Sequence, residues 1–183
     1  MALSQNKMKI LNVMWEIERP LRSREIAEKV DLSVPSSTMH LLQLRKSGYV
    51  FSPQKSLYAI TSQGKEAICL PKIDKNKAWK ILNSVSPEKA FYFYTSINQY
   101  LGLSVNNLID FYRKIPTIDP NAIEFHMSRG DFEFWFHNLG DTELAKRMNV
   151  LNRVTLSKEE LREQVYLTVK TRCEELLSIS EKR

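Results

Sequence analysis

The densest set of reactive side chains in this sequence is Glu124, His126, Arg129, Asp131, Glu133 and His137. Imidazole and carboxylate together are the groups of a metal site or an acid–base pair. His126 and Arg129, three residues apart on one helical face, could also hold a small anionic ligand such as phosphate. Metal ligation would require His126 and His137 to converge with a carboxylate across the helix break expected at Gly130 and Asp131. The same residues have an architectural use, with Asp131 capping the following helix and Arg129 bonding to carbonyls or a carboxylate. His126, Arg129 and Asp131 thus form a candidate cluster open to either role. No Walker loop, GxGxxG, GxSxG or HExxH motif occurs. We therefore assign no catalytic residue, metal ligand or cofactor, and an enzyme is the weakest reading. Cys69 and Cys173 lack ligand spacing and are read as buried small hydrophobes.

The elements that position chemistry differ between the two ends of the chain. Ile10, Leu11, Met14 and Ile17 recur at helical spacing and stop before Arg19 and Pro20. Ser23 is placed to cap a second helix, Arg24 to Val30, with Ile26, Ala27 and Val30 inward. After a turn at Asp31, Leu32 and Ser33, Pro35 suits the start of a third helix that ends near Ser47, with Gly48 as its left-handed stop. Tyr49 to Phe51 and Leu57 to Ile60 are β-prone runs flanking a turn, and Thr61 begins a short last helix through Ile68. Helix, helix, helix, hairpin, helix is the order of a winged helix-turn-helix.

The third helix would then carry the chemistry. At 100° per residue, Leu41, Leu44 and Gly48 lie within about 40° of Ser37 and face the core. Pro35, Met39, Leu42, Gln43 and Lys46 point the other way. In such a fold that outer face enters the major groove, where Gln43 suits an adenine edge and Lys46 a guanine or phosphate. Ser36 and Thr38 flank the face. Arg22 and Arg24 straddle the start of the second helix, Arg45 adds to the end of the third, and Lys55 lies at the tip of the wing. Met39 and Leu42 are apolar where a base-reading helix offers polar groups, which favours loose readout or a protein partner.

Two resemblances accompany this reading. The stretch SREIAEKVDLSVPSSTMHLLQLRKSGYV with YAITSQGKEAI resembles the winged-helix domains of bacterial and archaeal transcription regulators, through the alanine of the second helix, Leu32, the leucines closed by Gly48, and T-x-x-G at Thr61 to Gly64. It implies duplex DNA as partner. From Pro87 to Met148 the chain resembles a prokaryotic domain of unassigned function whose core is FHxxRGDFExW, then GDxELA. That likeness implies no known chemistry.

The expected fold is mainly α: an N-terminal winged helix-turn-helix over residues 1–70 with a small β-hairpin wing, and an all-α C-terminal domain over residues 75–183. Ser86 with Pro87, Ser104, Asp119 with Pro120, Asp131, Asp141 and Ser157 with Glu160 are its expected helix starts, giving five or six helices and a long last one from Lys158 to about Leu177. Val165, Tyr166, Val169, Cys173, Leu176 and Leu177 share a face of that last helix, which is core or dimer interface. Met8, Leu11 and Trp15 make a second stripe on the first helix, placed to pack on the second domain or on a second copy. The crowd of aromatics from Phe91 to Phe136 is mostly core, with a pocket or docking groove as a second use.

Charge and composition fit this division. With 43% hydrophobic and 26% charged residues the chain is of globular type, not disordered, collagenous or disulfide-built. The net charge is +6 and the pI about 9.3. Residues 1–70 hold 10 basic and 6 acidic side chains, whereas residues 121–183 hold 10 and 11. An acidic partner is thus favoured at the amino end. The sequence has no apolar run of membrane-spanning length, and its first residues are too polar for a signal peptide. The expectation is a cytoplasmic, DNA-binding, homodimeric regulator without membrane contact, in which the helical domain dimerises or senses a small-molecule or protein effector. The alternatives are a protein-interaction adaptor and a small-ligand-binding or metal-dependent helical domain.

Overall fold

The computed structural model describes residues 3–181. They divide into two compact units, one ending at Lys72 and one beginning at Ile73. The protein is mainly helical with small antiparallel sheets. Among the described residues no helix is long and apolar enough to cross a membrane.

In the first unit, α1 (Gln5–Ile17) buries Ile10, Leu11, Met14 and Trp15 and ends at Glu18 in the left-handed region. Leu11 and Trp15 of the second stripe are thus buried along with the first, and α1 packs on α2 (Ser23–Val30), α3 (Val34–Lys46), α4 (Ser62–Ala67) and the central strand of a small sheet. That sheet has the order β1 (Leu21–Arg22), β3 (Leu57–Ile60), β2 (Val50–Phe51), all antiparallel. The strand β1 escapes sequence reading, because two residues after a proline show no periodicity; pairing of Leu21 with Tyr58 and Arg22 with Leu57 creates it.

Capping corrects the expected helix starts. Ser23 is the first residue of α2, not its cap; the cap position is Arg22, whose amide donates to the Glu25 carboxylate at 2.9 Å. Ser33 caps α3 by accepting from the Ser36 amide. Thr61 caps α4 through the Gly64 amide at 3.0 Å, and its hydroxyl lies 2.7 Å from the Gly48 carbonyl oxygen. Gly64 is required by space, since a Cβ there would sit 2.2 Å from the Tyr49 carbonyl oxygen. Gly48, at φ +79, closes α3 but is exposed and does not join the core stripe of Ser37, Leu41 and Leu44.

The second unit is not all-α. A hairpin of β4 (Phe91–Ser96) and β5 (Gln99–Val105) precedes its main helices. Phe91 and Phe93 are buried while Tyr92 is exposed, an alternation of period two that a run of four aromatics conceals at the level of composition. Ser104 therefore lies in β5 and caps nothing; Asn107 caps α6 (Leu108–Lys114) through the Asp110 amide. Gly102, at φ +72, lies in the irregular stretch of β5 between Tyr100, paired with Tyr94, and Ser104, paired with Tyr92. Ser86 and Pro87 introduce one turn of 3-10 helix, Pro87–Lys89, without a side-chain cap.

The remaining helices are α5 (Lys75–Leu82), α7 (Pro120–Arg129), α8 (Asp131–Asn138), α9 (Thr142–Leu151) and α10 (Lys158–Glu181). Asp119, Asp141 and the Ser157–Glu160 box cap α7, α9 and α10 as their spacing predicts. The core joins the inner face of the hairpin to these helices through Phe91, Phe93, Phe111, Phe132, Trp135 and Phe136, in edge-on and stacked ring pairs such as Phe91–Phe93 at 5.1 Å. Val165, Val169, Cys173 and Leu176 of α10 belong to that core, so most of the face expected as core or dimer seam is core. Burial pushes the Cys173 thiol up to about 12. Cys69, by contrast, is exposed and departs from the expectation for both cysteines.

Candidate functional site

Two places carry the side chains singled out by sequence. The first is the outer face of α3. Ser37 is fully buried and its hydroxyl donates to the Ser23 carbonyl at 3.1 Å, which fixes the rotation of α3 against α2. With Ser37, Leu41 and Leu44 inward, Pro35, Met39, Leu42, Gln43, Arg45 and Lys46 are exposed, Met39 at 49% and Leu42 at 45%. Ser36 and Thr38 are half-buried at the margins, and the Thr38 hydroxyl donates back to the Val34 carbonyl at 2.8 Å. Among the described residues Gln43, Arg45, Lys46 and Lys55 have no side-chain hydrogen-bond or ion-pair partner.

Arg22 and Arg24 are exposed at the start of α2, where Arg24 pairs with Glu28 at 3.1 Å. The Arg19 guanidinium, hydrogen-bonded to Glu25, together with the Arg22 amide holds the Glu25 carboxyl below its ordinary range. Val34 and Phe51 add exposed apolar surface to the same unit.

The second place is the polar cluster between α7 and α8, and here geometry separates the roles that sequence leaves open. His126 is buried. Its Nε2 lies 2.9 Å from the Tyr94 amide nitrogen, and its Nδ1 lies 2.8 Å from an Asp131 carboxylate oxygen. A peptide N–H can only donate, so Nε2 is the bare acceptor and the ring proton sits on Nδ1, donated to Asp131. Burial lowers the His126 pKa, and the opposing pull of Asp131 does not restore it. Both ring nitrogens are committed, leaving neither for metal ligation or proton transfer.

Arg129 donates through Nε to the same Asp131 oxygen at 3.1 Å and lies over the Phe125 ring at 5.1 Å. Asp131 consequently does not cap α8 as expected. Gly130, at φ +74, occupies the cap position, and the carboxylate turns back to α7. His137 is exposed, apart in burial from His126, and among the described residues no three His, Cys, Asp or Glu side chains form a cluster that could hold a metal ion.

The rest of the FHxxRGDFExW motif is explained in the same terms. Phe132 enters the core, Glu133 accepts from Asn149 at 2.9 Å, and the Trp135 indole N–H donates to the Lys89 carbonyl at 2.9 Å. The motif is the joint of α7, α8, the hairpin and the 3-10 turn.

The GDxELA segment builds a second buried network. Arg172 grips both oxygens of the fully buried Asp141, at 2.7 and 2.9 Å, and also reaches Glu143 at 3.1 Å and Glu175 at 2.8 Å. Burial opposes the charge of Arg172, but the carboxylates outweigh it and hold the guanidinium more firmly protonated than usual. Sequence alone does not single out Arg172. Its signal was a cation inside the apolar stripe of α10, between Val169, Cys173 and Leu176; its partner lies 31 residues away.

No curated protein and no solved structure matches the chain. Residues 70–170, more than half of it, match the model of a family of unknown function, DUF5752, which takes in both buried motifs. The chain therefore belongs to that family.

Proposed function

We propose that the protein is a DNA-binding regulator whose first unit is a winged helix-turn-helix and whose α3 lies in the major groove. The observation that carries this reading is the outer face of α3, on which Gln43, Arg45 and Lys46 are exposed and, among the described residues, free of partners while Ser37, Leu41 and Leu44 anchor the opposite side. The order α1, α2, α3, hairpin, α4 and the sheet β1-β3-β2 support the winged-helix reading. Gln43 suits an adenine edge, and Arg45 and Lys46 suit guanine or phosphate. Ser36, Thr38 and Met39 line the same contact, with Arg22, Arg24 and Lys55 on the flanking backbone. Two copies are needed to fill successive major grooves about 34 Å apart, and the second unit supplies that pairing or an effector response.

The test is duplex binding by the Arg45→Ala, Lys46→Ala double variant. A clear loss of affinity at low salt is expected, and unchanged affinity removes α3 from the interface. A second reading, a protein-interaction adaptor, is favoured by one observation, the exposure of Met39 and Leu42 beside Val34 and Phe51. Leu42→Ser, at an exposed position outside the residues assigned to DNA, separates the two: an adaptor loses its partner, and a DNA binder keeps its salt-dependent affinity.

A further inference from the structure

The helix α5 carries a surface that neither the α3 contact nor the buried motifs use. Ala78 and Ile81 are buried, with α5 packed on α10 and α6. That packing turns Trp79 outward, and 64% of it is exposed. Lys75, one turn earlier and about 40° away on the helix, and Lys80, about 100° away, are both exposed, as is Asn76. Among the described residues neither lysine has a carboxylate partner. The acid next to the helix, Asp74, is spent on its cap, accepting from the Lys77 amide at 2.8 Å. An indole between two unpaired ammonium groups offers a flat apolar ring, an N–H donor and two point charges of one sign.

We propose that this face of α5 is a nucleic-acid contact of the second unit in its own right, with Lys75 and Lys80 on backbone phosphates and Trp79 against a sugar or base. The proposal rests on the reading of the protein as a DNA binder, not on the α3 contact. Charge complementarity selects the occupant: a protein or lipid partner does not require two unpaired cations flanking an indole N–H, whereas the phosphate backbone presents anions at regular spacing beside apolar sugars.

Tryptophan emission reads the contact directly in the full chain, because Trp15 and Trp135 are 2% and 6% exposed and Trp79 is the accessible indole. Iodide is expected to quench the free protein, addition of duplex DNA to protect it, and Trp79→Phe to abolish both effects. In a salt titration, Lys75→Ala with Lys80→Ala is expected to flatten the slope of log affinity against log salt by about 1.8, two phosphates at about 0.9 each. Circular dichroism checks that the variants remain folded.

An unchanged slope with Trp79 still quenched in the presence of DNA, while the Arg45, Lys46 double variant loses affinity, overturns the α5 contact and leaves the α3 reading intact. A flattened slope with an inert Arg45, Lys46 variant does the reverse. Absence of any duplex binding at low salt overturns both. The α5 proposal also fails if iodide cannot reach Trp79 in the free chain, or if vesicles of anionic lipid protect it and DNA does not.

Discussion

One proton decides how His126 works. The Tyr94 amide must donate to Nε2, so a second proton on the ring would set two donors against each other and break the tie between β4 and α7. The His126 pKa lies below its ordinary 6.5 in the fold, which means the unfolded chain takes up the proton first as pH falls. Stability from this group is complete above about pH 6.5 and is lost as pH drops from there toward the folded value. Urea midpoints measured across that interval should fall on acidification, and His126→Phe should remove this contribution to the trend. The same variant should lower stability by about 1–3 kcal/mol at neutral pH, because it strands the Tyr94 amide and leaves Asp131 with Arg129 as its remaining donor. A midpoint that rises on acidification would contradict the Nδ1-protonated form.

At the scale of elements, three joints set how helices meet. The Tyr49 carbonyl, just before β2, lies so close over Gly64 of α4 that any side chain there collides with backbone. Gly64→Ala is expected to cost about 1–3 kcal/mol, read as a lower thermal midpoint, since the obstacle is a carbonyl and not a flexible side chain. The joint of α9 with α10 depends on the pairing of Arg172 with Asp141. Arg172→Met leaves a fully buried carboxylate without its cation and should cost about 3–5 kcal/mol in denaturant unfolding. Asp141 also caps α9, so the replacement affects a helix start as well as a pair. The third joint, α7 to α8, uses a left-handed Gly130 to bring Asp131 back onto His126 and Arg129. Its residues look catalytic in the sequence because histidine, arginine and aspartate also serve architecture wherever a buried amide needs an acceptor.

For the whole molecule the uneven charge is the leading fact. The basic excess of residues 1–70 gives way to near balance after residue 120. Duplex binding should accordingly be strongly salt-dependent, weakening by a slope of about −0.9 per phosphate contacted. Titrations at two or more salt concentrations check this, and affinity insensitive to salt would favour the adaptor reading through Met39 and Leu42. The stripe of α10 expected as core or dimer interface is largely core, since Val165, Val169, Cys173 and Leu176 are buried. Any homodimer must use other surface, and Phe134, Val154 and Leu167 are exposed apolar residues available for it.

Local chemistry in the amino-acid sequence was enough to fix most of the helices. Caps at Asp119, Asp141 and Ser157, the stop at Gly48 and the period of apolar residues in α1 and α3 all act within a few residues of chain. The exposure of Gln43 and Lys46 was legible for the same reason, as a matter of helical phase. Strand pairing and buried polar contacts were not. The strand β1 exists because Leu21 meets Tyr58, the hairpin because Phe91 faces Val105, and the His126 tautomer because the Tyr94 amide arrives from 32 residues away. Arg172 becomes structural when Asp141 is folded against it. Such contacts depend on which distant segments the core brings together, and local propensity does not encode that choice.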